Sequence, residues 1–346
     1  MRGQTPPLAV AMSGGVDSSV AAALLVERGF RVIGMTLKLF SSSGAEEAVE
    51  KARQSARTLG IDHRVVDGRR EFERLVIQPF IEEYRRGRTP NPCVECNRRV
   101  KFGLLMAQSR KLGCRRMATG HYVRLGRRRG RLALLRARDL AKDQSYFLWS
   151  LSQQQLGAAW FPLGGYSKNQ VREMAASWGL PAAGQAESQE ACFIPGGRTA
   201  DFLRERLECK PGPIRDLDGR VLGHHRGFCL YTIGQRQGLG IALGSPRYVV
   251  AIGPKDNTLT VGRNQDLLKG RVMADGVNWM AAVPRRTVRA VVKIRHQHQG
   301  AEALVRPTGR SSVEVVFKEP QRAVTPGQSA VFYRGDLVLG GAVIAE

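Results

Sequence analysis

Cysteine is scarce in this chain, with six in 346 residues, at 93, 96, 114, 192, 209 and 229. They are too few and too scattered for the disulfide scaffold of a secreted protein. Aromatic residues make up only 7%, and Asp and Glu are outnumbered 30 to 54 by Lys and Arg. Long apolar runs are missing too: none approaches the roughly 20 residues that span a bilayer. The stretch before Leu8 holds no apolar core of signal-peptide length. These absences predict a soluble, cytoplasmic chain with no membrane partner. No internal repeat or low-complexity tract is evident.

An apolar fraction of 42% supports real cores, and the length allows two or three domains. The formal net charge is +24. Such an excess speaks of partners rather than fold, and a polyanion, nucleic acid first, is the most economical one. A generally basic surface is the alternative. Composition does not choose RNA over DNA. In a cytosolic chain, the C-x-x-C of Cys93 and Cys96 reads as catalytic, redox-active or metal-binding sooner than structural.

The chain is organised around A-M-S-G-G-V-D-S-S at 11–19. An apolar run, 8–12, enters it and an Ala/Leu/Val-rich run, 20–26, leaves it, which predicts strand, tight turn and helix. Gly14 and Gly15 let the backbone approach a ligand with no Cβ in the way. Ser13, Ser18 and Ser19 add hydroxyls, and the helix that follows offers unpaired N–H groups and its positive dipole end. Two readings stand side by side: an anion cradle, or a glycine turn whose Asp and Ser only cap a helix. The lysine of G-x-x-x-x-G-K-[ST] is absent, as is the third glycine of the dinucleotide fingerprint. The S-G-G-x-D-S form resembles the pyrophosphate loop of ATP pyrophosphatases.

Alternation continues beyond it. A helix to about residue 28 is followed by a strand at 31–39, a helix at 46–59 and a strand at 63–66. A helix from 71 to about 86, the turn T-P-N-P at 89–92, a helix at 97–111 and a strand at 116–119 come next. The pattern predicts an α/β fold with a doubly wound parallel sheet, whose ligands sit at the carboxyl ends of the strands, where the Ser13 turn lies. His63 reads as a strand-start residue with no special role. The run R-L-G-R-R-R-G-R at 124–131 reads as a hairpin tip, either solvated or touching phosphate. A helical region runs from 142 through 167–178, and a polar loop at 184–197 carries Cys192. After K-P-G-P at 210–213 the helical pattern stops, and short alternating segments at 247–252, 258–261, 288–295, 313–318 and 330–333 predict β-rich domains. The expected division is 1–207, 208–272 and 273–346, with Trp279 and Val283-Pro284 marking the start of the last β domain.

Seven motifs in order resemble the tRNA-specific 2-thiouridylase family over essentially the full length. They are the loop at 11–19, G-R-T-P-N-P-C-V-E-C-N at 87–97, A-T-G-H-Y at 118–122, K-D-Q-S-Y-F-L at 142–148, A-C-F-I at 191–194, Y-T-I-G-Q-R-Q-G-L-G at 231–240 and T-P-G-Q-S-A-V-F-Y at 325–333. The resemblance implies an ATP-pyrophosphatase domain (adenine nucleotide alpha hydrolase-like) followed by two small β-rich domains. It also implies ATP-dependent conversion of the wobble uridine, U34, of tRNA to 2-thiouridine.

By that resemblance Ala11, Met12, Ser13, Gly14, Gly15, Val16, Asp17, Ser18, Leu37 and Gly120 line the ATP site, with Asp17 positioning Mg²⁺. Cys192 carries the persulfide, and Cys96 is its nucleophilic partner, attacking the persulfide to release sulfide or closing a transient Cys96 to Cys192 disulfide after transfer. Cys96, beside an Asn at a helix start, is placed where the dipole lowers a thiol pKa. Asn91, Pro92 and Cys93 meet the flipped target base. His121, Lys142, Asp143, Gln144, Arg295, His296 and Gln328 match positions near the anticodon stem-loop, His121 being readable also as a core histidine. Arg286, Arg289, Lys293 and Arg295 suit the last β domain to clamping RNA by shape.

Many members of the family carry an acidic residue where this chain has Cys93. The three thiols Cys93, Cys96 and Cys192 therefore open an alternative in which a [4Fe-4S] cluster delivers sulfide. A non-catalytic RNA-binding protein that has kept a nucleotide-binding fold is a further alternative. Cys114, Cys209 and Cys229 are left as structural. A cysteine desulfurase or a sulfur-relay protein is the implied donor, and a monomer on one tRNA the implied assembly.

Overall fold

Strand β1 (Leu8–Ala11) lies at the centre of a five-stranded parallel sheet because its residues can be buried on both faces. The computed structural model describes residues 6–128, 130–181, 192–194, 196, 198–241, 244–280, 283–284 and 286–345. It divides into two compact units, one of residues up to 76, 93–189 and 335–339, the other of 77–92, 190–334 and 340 onward.

In the first unit β1 is followed by α1 (Val16–Glu27), β2 (Val32–Lys38), α2 (Ser43–Thr58), β3 (Asp62–Asp67) and α3 (Arg69–Phe72). A wide π-type turn, Glu73–Ile77, leads from α3 into α4 (Gln78–Arg85), which belongs to the second unit. The first unit resumes at Cys93, inside α5 (Pro92–Glu95), and continues with the π-type run Cys96–Leu105, α6 (Met106–Lys111) and β4 (Met117–Thr119). The hairpin β5 (Val123–Arg128) and β6 (Arg131–Arg136) pairs Arg128 with Arg131 at its tip, as the basic run predicted. Beyond it the expected helical region is broken into α7 (Gln153–Ala158), β7 (Ala159–Trp160) and α8 (Lys168–Ser177).

The sheet order is β3-β2-β1-β4-β7, all parallel, so the chain leaves β1 in opposite directions towards β2 and β4. Such a switch point opens a crevice at the carboxyl end of β1, which is where the glycine turn sits. Helix α1 has no polar face because it has almost no exposed one. Val20, Ala21 and Leu24 pack with Tyr122, Leu163, Val171 and Leu180, while Ala22 and Leu25 pack with Leu8, Val10, Ala52 and Ala56. Helix α2 begins three residues before the expected 46, because Ser42 caps it by accepting from the Ala45 N–H at 3.2 Å.

The second unit contains α9 (Thr199–Arg204) and a small sheet of β8 (Gly212–Arg215), β9 (Val221–His225), β10 (Tyr248–Gly253) and β11 (Thr258–Gly262), in the order β10-β11-β8-β9. Ile214, Tyr231, Leu239, Val249, Leu259 and Val261 form its core. Then come β12 (Leu268–Trp279), β13 (Val288–Lys293), β14 (Ala301–Pro307), β15 (Ser312–Arg322), β16 (Ser329–Arg334) and β17 (Leu337–Ile344). They follow one another as β12-β15-β14-β13-β16-β17, and pairing of β12 with β17 closes the ring. Alternation along β15 buries Val313, Val315 and Phe317 inside. Trp279, expected near the start of this domain, is instead the last residue of its first strand, and the expected boundary at 272/273 falls inside β12. The register with β15 shifts between Lys269 and Arg271, where β15 passes from Gln321 to Val316 opposite Gly270.

Candidate active site

The turn after β1 is shaped by backbone contacts that exclude side chains. Gly14 has φ +81°, and a Cβ on it would lie 2.4 Å from the Ala48 carbonyl oxygen. Gly15 begins α1 with no side-chain cap, so the first-turn N–H groups have no intrahelical acceptor. Ser18 Oγ accepts from the Ser13 N–H at 3.1 Å and donates to the Gly15 carbonyl at 3.0 Å, which fixes the turn from inside. Ser19 instead faces the core, donating to Gly15 O and Ser55 Oγ, both at 3.1 Å. From across the switch point Gly120 closes on the same turn: a Cβ there would be 2.8 Å from Asp17 C and Ser18 N. Met12 and Val16 are buried, so their share in any nucleotide site is their backbone. Leu37, half-buried near the end of β2, packs against Gly68.

Asp17 is held by two groups the sequence did not single out together. Lys168 Nζ donates to its Oδ1 at 2.7 Å, and the Tyr122 hydroxyl donates to the same oxygen at 2.7 Å. Lys168 is 7% exposed and is the first residue of α8, an end of a helix that ordinarily disfavours a cation. A buried ammonium must be paired, and Asp17 supplies one partner. Both bonds fall on Oδ1, which leaves Oδ2 as the oxygen through which a cation could be held. One carboxylate beside a phosphate cradle fits Mg²⁺, which usually takes one or two carboxylates together with substrate phosphates.

Cys96 is buried. Helix begins at Pro92, so Cys96 lies a turn inside it rather than at its start, where the sequence placed it. The Pro at the first helical position was the available signal. Beside it Asn97 is 3% exposed, donating from Nδ2 to the Phe147 carbonyl at 3.2 Å, while its buried Oδ1 has no partner among the described residues. Cys93 reaches the surface, yet its sulfur is packed closely enough that desolvation raises its pKa, with Lys101 opposing.

Cys192 is exposed in a turn of the second unit, and the two residues after it are its anchor. Phe193 is buried with its ring 5.3 Å from both Phe80 and Phe202, and Ile194 is buried beside it in sequence. Most of the expected loop at 184–197 lies outside the described residues. Among the described residues no three His, Cys, Asp or Glu side chains are grouped to hold a metal ion.

The positions expected near RNA divide into two sets. His121 does not reach the surface: its ring packs near Phe102 and Phe161, Nδ1 is 2.7 Å from Thr119 Oγ1, and burial, with Lys101, holds its pKa well below the usual value. Asp143 is also buried, accepting from the Ala137 and Ser145 N–H groups and from Ser145 Oγ. Gln144 accepts from the Tyr122 N–H at 3.0 Å and so supports the tyrosine that holds Asp17. Asp143 answers backbone N–H groups of its own loop, Gln144 one beyond the hairpin, and His121 a side-chain hydroxyl. Gln328 donates to the Thr89 and Pro90 carbonyls at 2.9 and 3.4 Å, fixing the turn that carries Asn91 and Pro92. Lys142, Asn91 and Pro92 are half-buried, whereas Arg289, Arg295 and His296 are exposed. No helix among the described residues is long and apolar enough to cross a membrane.

A parallel sheet with a glycine-shaped anion cradle at its switch point defines a nucleotide-binding domain of the HUP class. A model described as "tRNA methyl transferase HUP domain" matches residues 7–196. Models described as "tRNA methyl transferase PRC-barrel domain" and "Aminomethyltransferase beta-barrel domain" match 200–263 and 269–344. The tRNA-specific 2-thiouridylase MnmA of Moorella thermoacetica is 48% identical over 97% of this chain and 98% of its own. That of Chloroflexus aurantiacus is 49% identical over the same shares. The chain therefore belongs to the tRNA-specific 2-thiouridylase (MnmA) family. The solved U34-tRNA thiolase NcsA from Methanococcus maripaludis, with its [4Fe-4S] cluster, is 19% identical over 58% of this chain and 63% of its own, with a TM-score of 0.38, too distant to bear on the site.

Proposed function

We propose that this chain is an ATP-dependent tRNA-uridine 2-sulfurtransferase acting on U34. The observation that carries the reading is the cradle at residues 13–18, closed by Gly120 and holding Asp17 on Lys168 and Tyr122, in a chain that also presents Cys192 on an aromatic anchor. A uridine C2 oxygen is a poor leaving group, so it must first be activated. The O2 attacks the α-phosphorus of ATP, and pyrophosphate departs into the first-turn N–H groups and the Ser13 hydroxyl, with Ser18 holding the turn in shape. Mg²⁺, when bound at Asp17, neutralises phosphate charge. The terminal sulfur of a Cys192 persulfide then attacks C2. Cys96 attacks the inner sulfur, AMP leaves with the former O2, the new sulfur stays on C2, and a Cys96 to Cys192 disulfide results. A thiol reductant must reopen it.

Asn91, Pro92 and Cys93 are assigned to the target base, and Lys142, Arg295 and His296 to the anticodon stem-loop. The division 1–207, 208–272 and 273–346, with its last boundary drawn back to the start of β12, goes with this reading: catalysis in the first part and RNA clamping in the β-rich remainder. A desulfurase or relay protein supplies the persulfide, and the enzyme works as a cytoplasmic monomer. The test is pyrophosphate release with and without U34 tRNA, followed by nucleoside mass spectrometry with a persulfide donor present. Release that depends on tRNA, together with 2-thiouridine, is the expected outcome. RNA binding with neither product would leave a non-catalytic RNA-binding protein.

A further inference from the structure

Two cysteines that sulfur transfer does not use lie against each other in the second unit. Cys209 Sγ and Cys229 Sγ are 2.8 Å apart. Cys209 follows α9, and Cys229 sits in the single turn Phe228–Leu230. The backbone is built for this approach. Gly227 has φ +124°, and a Cβ on it would be 2.5 Å from the Cys209 Cβ, so only glycine admits Cys209 there. From the other side Asn257 donates to the Pro211 carbonyl at 2.9 Å and pins the chain just after Cys209.

We propose that Cys209 and Cys229 are a second reactive dithiol, which a low-molecular-weight disulfide converts to an intramolecular disulfide. Cys209 is half-buried and reachable, whereas Cys229 is 5% exposed. Burial and the neighbouring Cys209 push the Cys229 thiol up to about 12, so it is not the first to react. Cys209 attacks the small disulfide, expelling one thiol and forming a mixed disulfide. Cys229 then attacks the Cys209 sulfur and expels the second thiol. Two cysteine thiols are oxidised, one disulfide is reduced to two thiols, and the two protons pass to the leaving thiolates. The bond ties the segment after α9 to the 228–230 turn. Phe202 of α9 packs on Phe193, so the staple restrains the base of the turn that carries Cys192.

The test uses the full chain with Cys96→Ser and Cys192→Ser, alongside the unsubstituted chain, equilibrated over a series of glutathione to glutathione-disulfide ratios. Alkylation and peptide mapping should show Cys209 and Cys229 lost together and recovered as one linked peptide in both proteins. Melting should rise by about 5 °C, and dithiothreitol should reverse both changes. With Cys229→Ser added, Cys209 should instead hold glutathione. Independent alkylation of Cys209 and Cys229 at the most oxidising ratio, or linkage of either to another cysteine, would overturn the proposal.

Discussion

The cradle at residues 13–18 and the turn at Cys192 are made of different materials. The cradle is backbone: Gly14 and Gly120 meet main-chain atoms where no Cβ fits, and its one carboxylate is clamped by a buried lysine and a tyrosine. The Cys192 turn is a side chain presented to solvent and steadied by the packing of Phe193 and Ile194. Charge that develops on a leaving pyrophosphate is best met by dipoles that do not have to reorganise. A sulfur that must be loaded by one partner and delivered to another needs access instead. The two halves of the proposed reaction should therefore fail separately, and variants can be chosen to show it.

The largest effect is expected at Cys192. Cys192→Ser should abolish 2-thiouridine, a loss of at least ~10³-fold given the role of a covalent sulfur carrier, while tRNA-dependent pyrophosphate release persists. Loss of both activities together would break the comparison. Gly120→Ala attacks the other half. Its Cβ would press on main-chain atoms of Asp17 and Ser18, at 2.8 Å, and these cannot rotate away as a side chain can. Adenylation should fall by about 100-fold, in keeping with a misplacement of about 1 Å, while persulfide loading of Cys192, read by mass spectrometry, is unchanged.

Lys168→Met is the subtler probe of the same half. It removes the charge that holds Asp17 Oδ1 but keeps most of the stem volume. The expected result is a rise of about tenfold in KM for ATP and a steeper dependence on Mg²⁺, with tRNA affinity unchanged, since an interaction with a charged group is worth about 1.5–3 kcal/mol. A uniform loss of melting temperature with unchanged KM would make Lys168 a merely structural cation.

Strand, turn and helix at 8–27 could be read because α1 and β1 are buried nearly all round, which writes an uninterrupted apolar pattern. Gly120 could be reached through the resemblance, since its requirement is a contact with Asp17 and Ser18 that no local pattern reveals. Lys168 was missed for the same reason: it meets Asp17 only through the packing of α8 on α1. Its one sequence signal, a lysine directly after the capping residue Ser167, marks a cation at the wrong end of a helix. His121, Asp143 and Gln144 were matched to the stem-loop by motif, His121 with a core reading beside it, and motif positions carry no direction. Their hydrogen bonds show what holds them: His121 and Asp143 each meet a group close by in the chain, and Gln144 reaches back across the hairpin to the Tyr122 N–H.

His121 supplies the smallest test, and it separates the core beside the cradle from the cradle itself. Burial, with Lys101, holds the folded pKa well below the ordinary value of 6.5. Above pH 6.5 the ring is neutral in both folded and unfolded chains and contributes no pH dependence. As pH falls below 6.5 the unfolded chain takes up a proton that the native ring refuses, so stability drops until the folded pKa is reached. The slope from this residue is about 1.4 kcal/mol per pH unit at its steepest. His63, His225 and His298, also lowered chiefly by burial, add to the total acid sensitivity. His121→Asn should therefore flatten, without abolishing, the fall in unfolding free energy between about pH 6.5 and 5.5, by about 1 kcal/mol, read by denaturant titration. Because the ring faces Phe102 and Phe161, RNA affinity at about pH 7.5 should stay as it is. A fall in affinity with an unchanged pH profile would return His121 to the RNA surface.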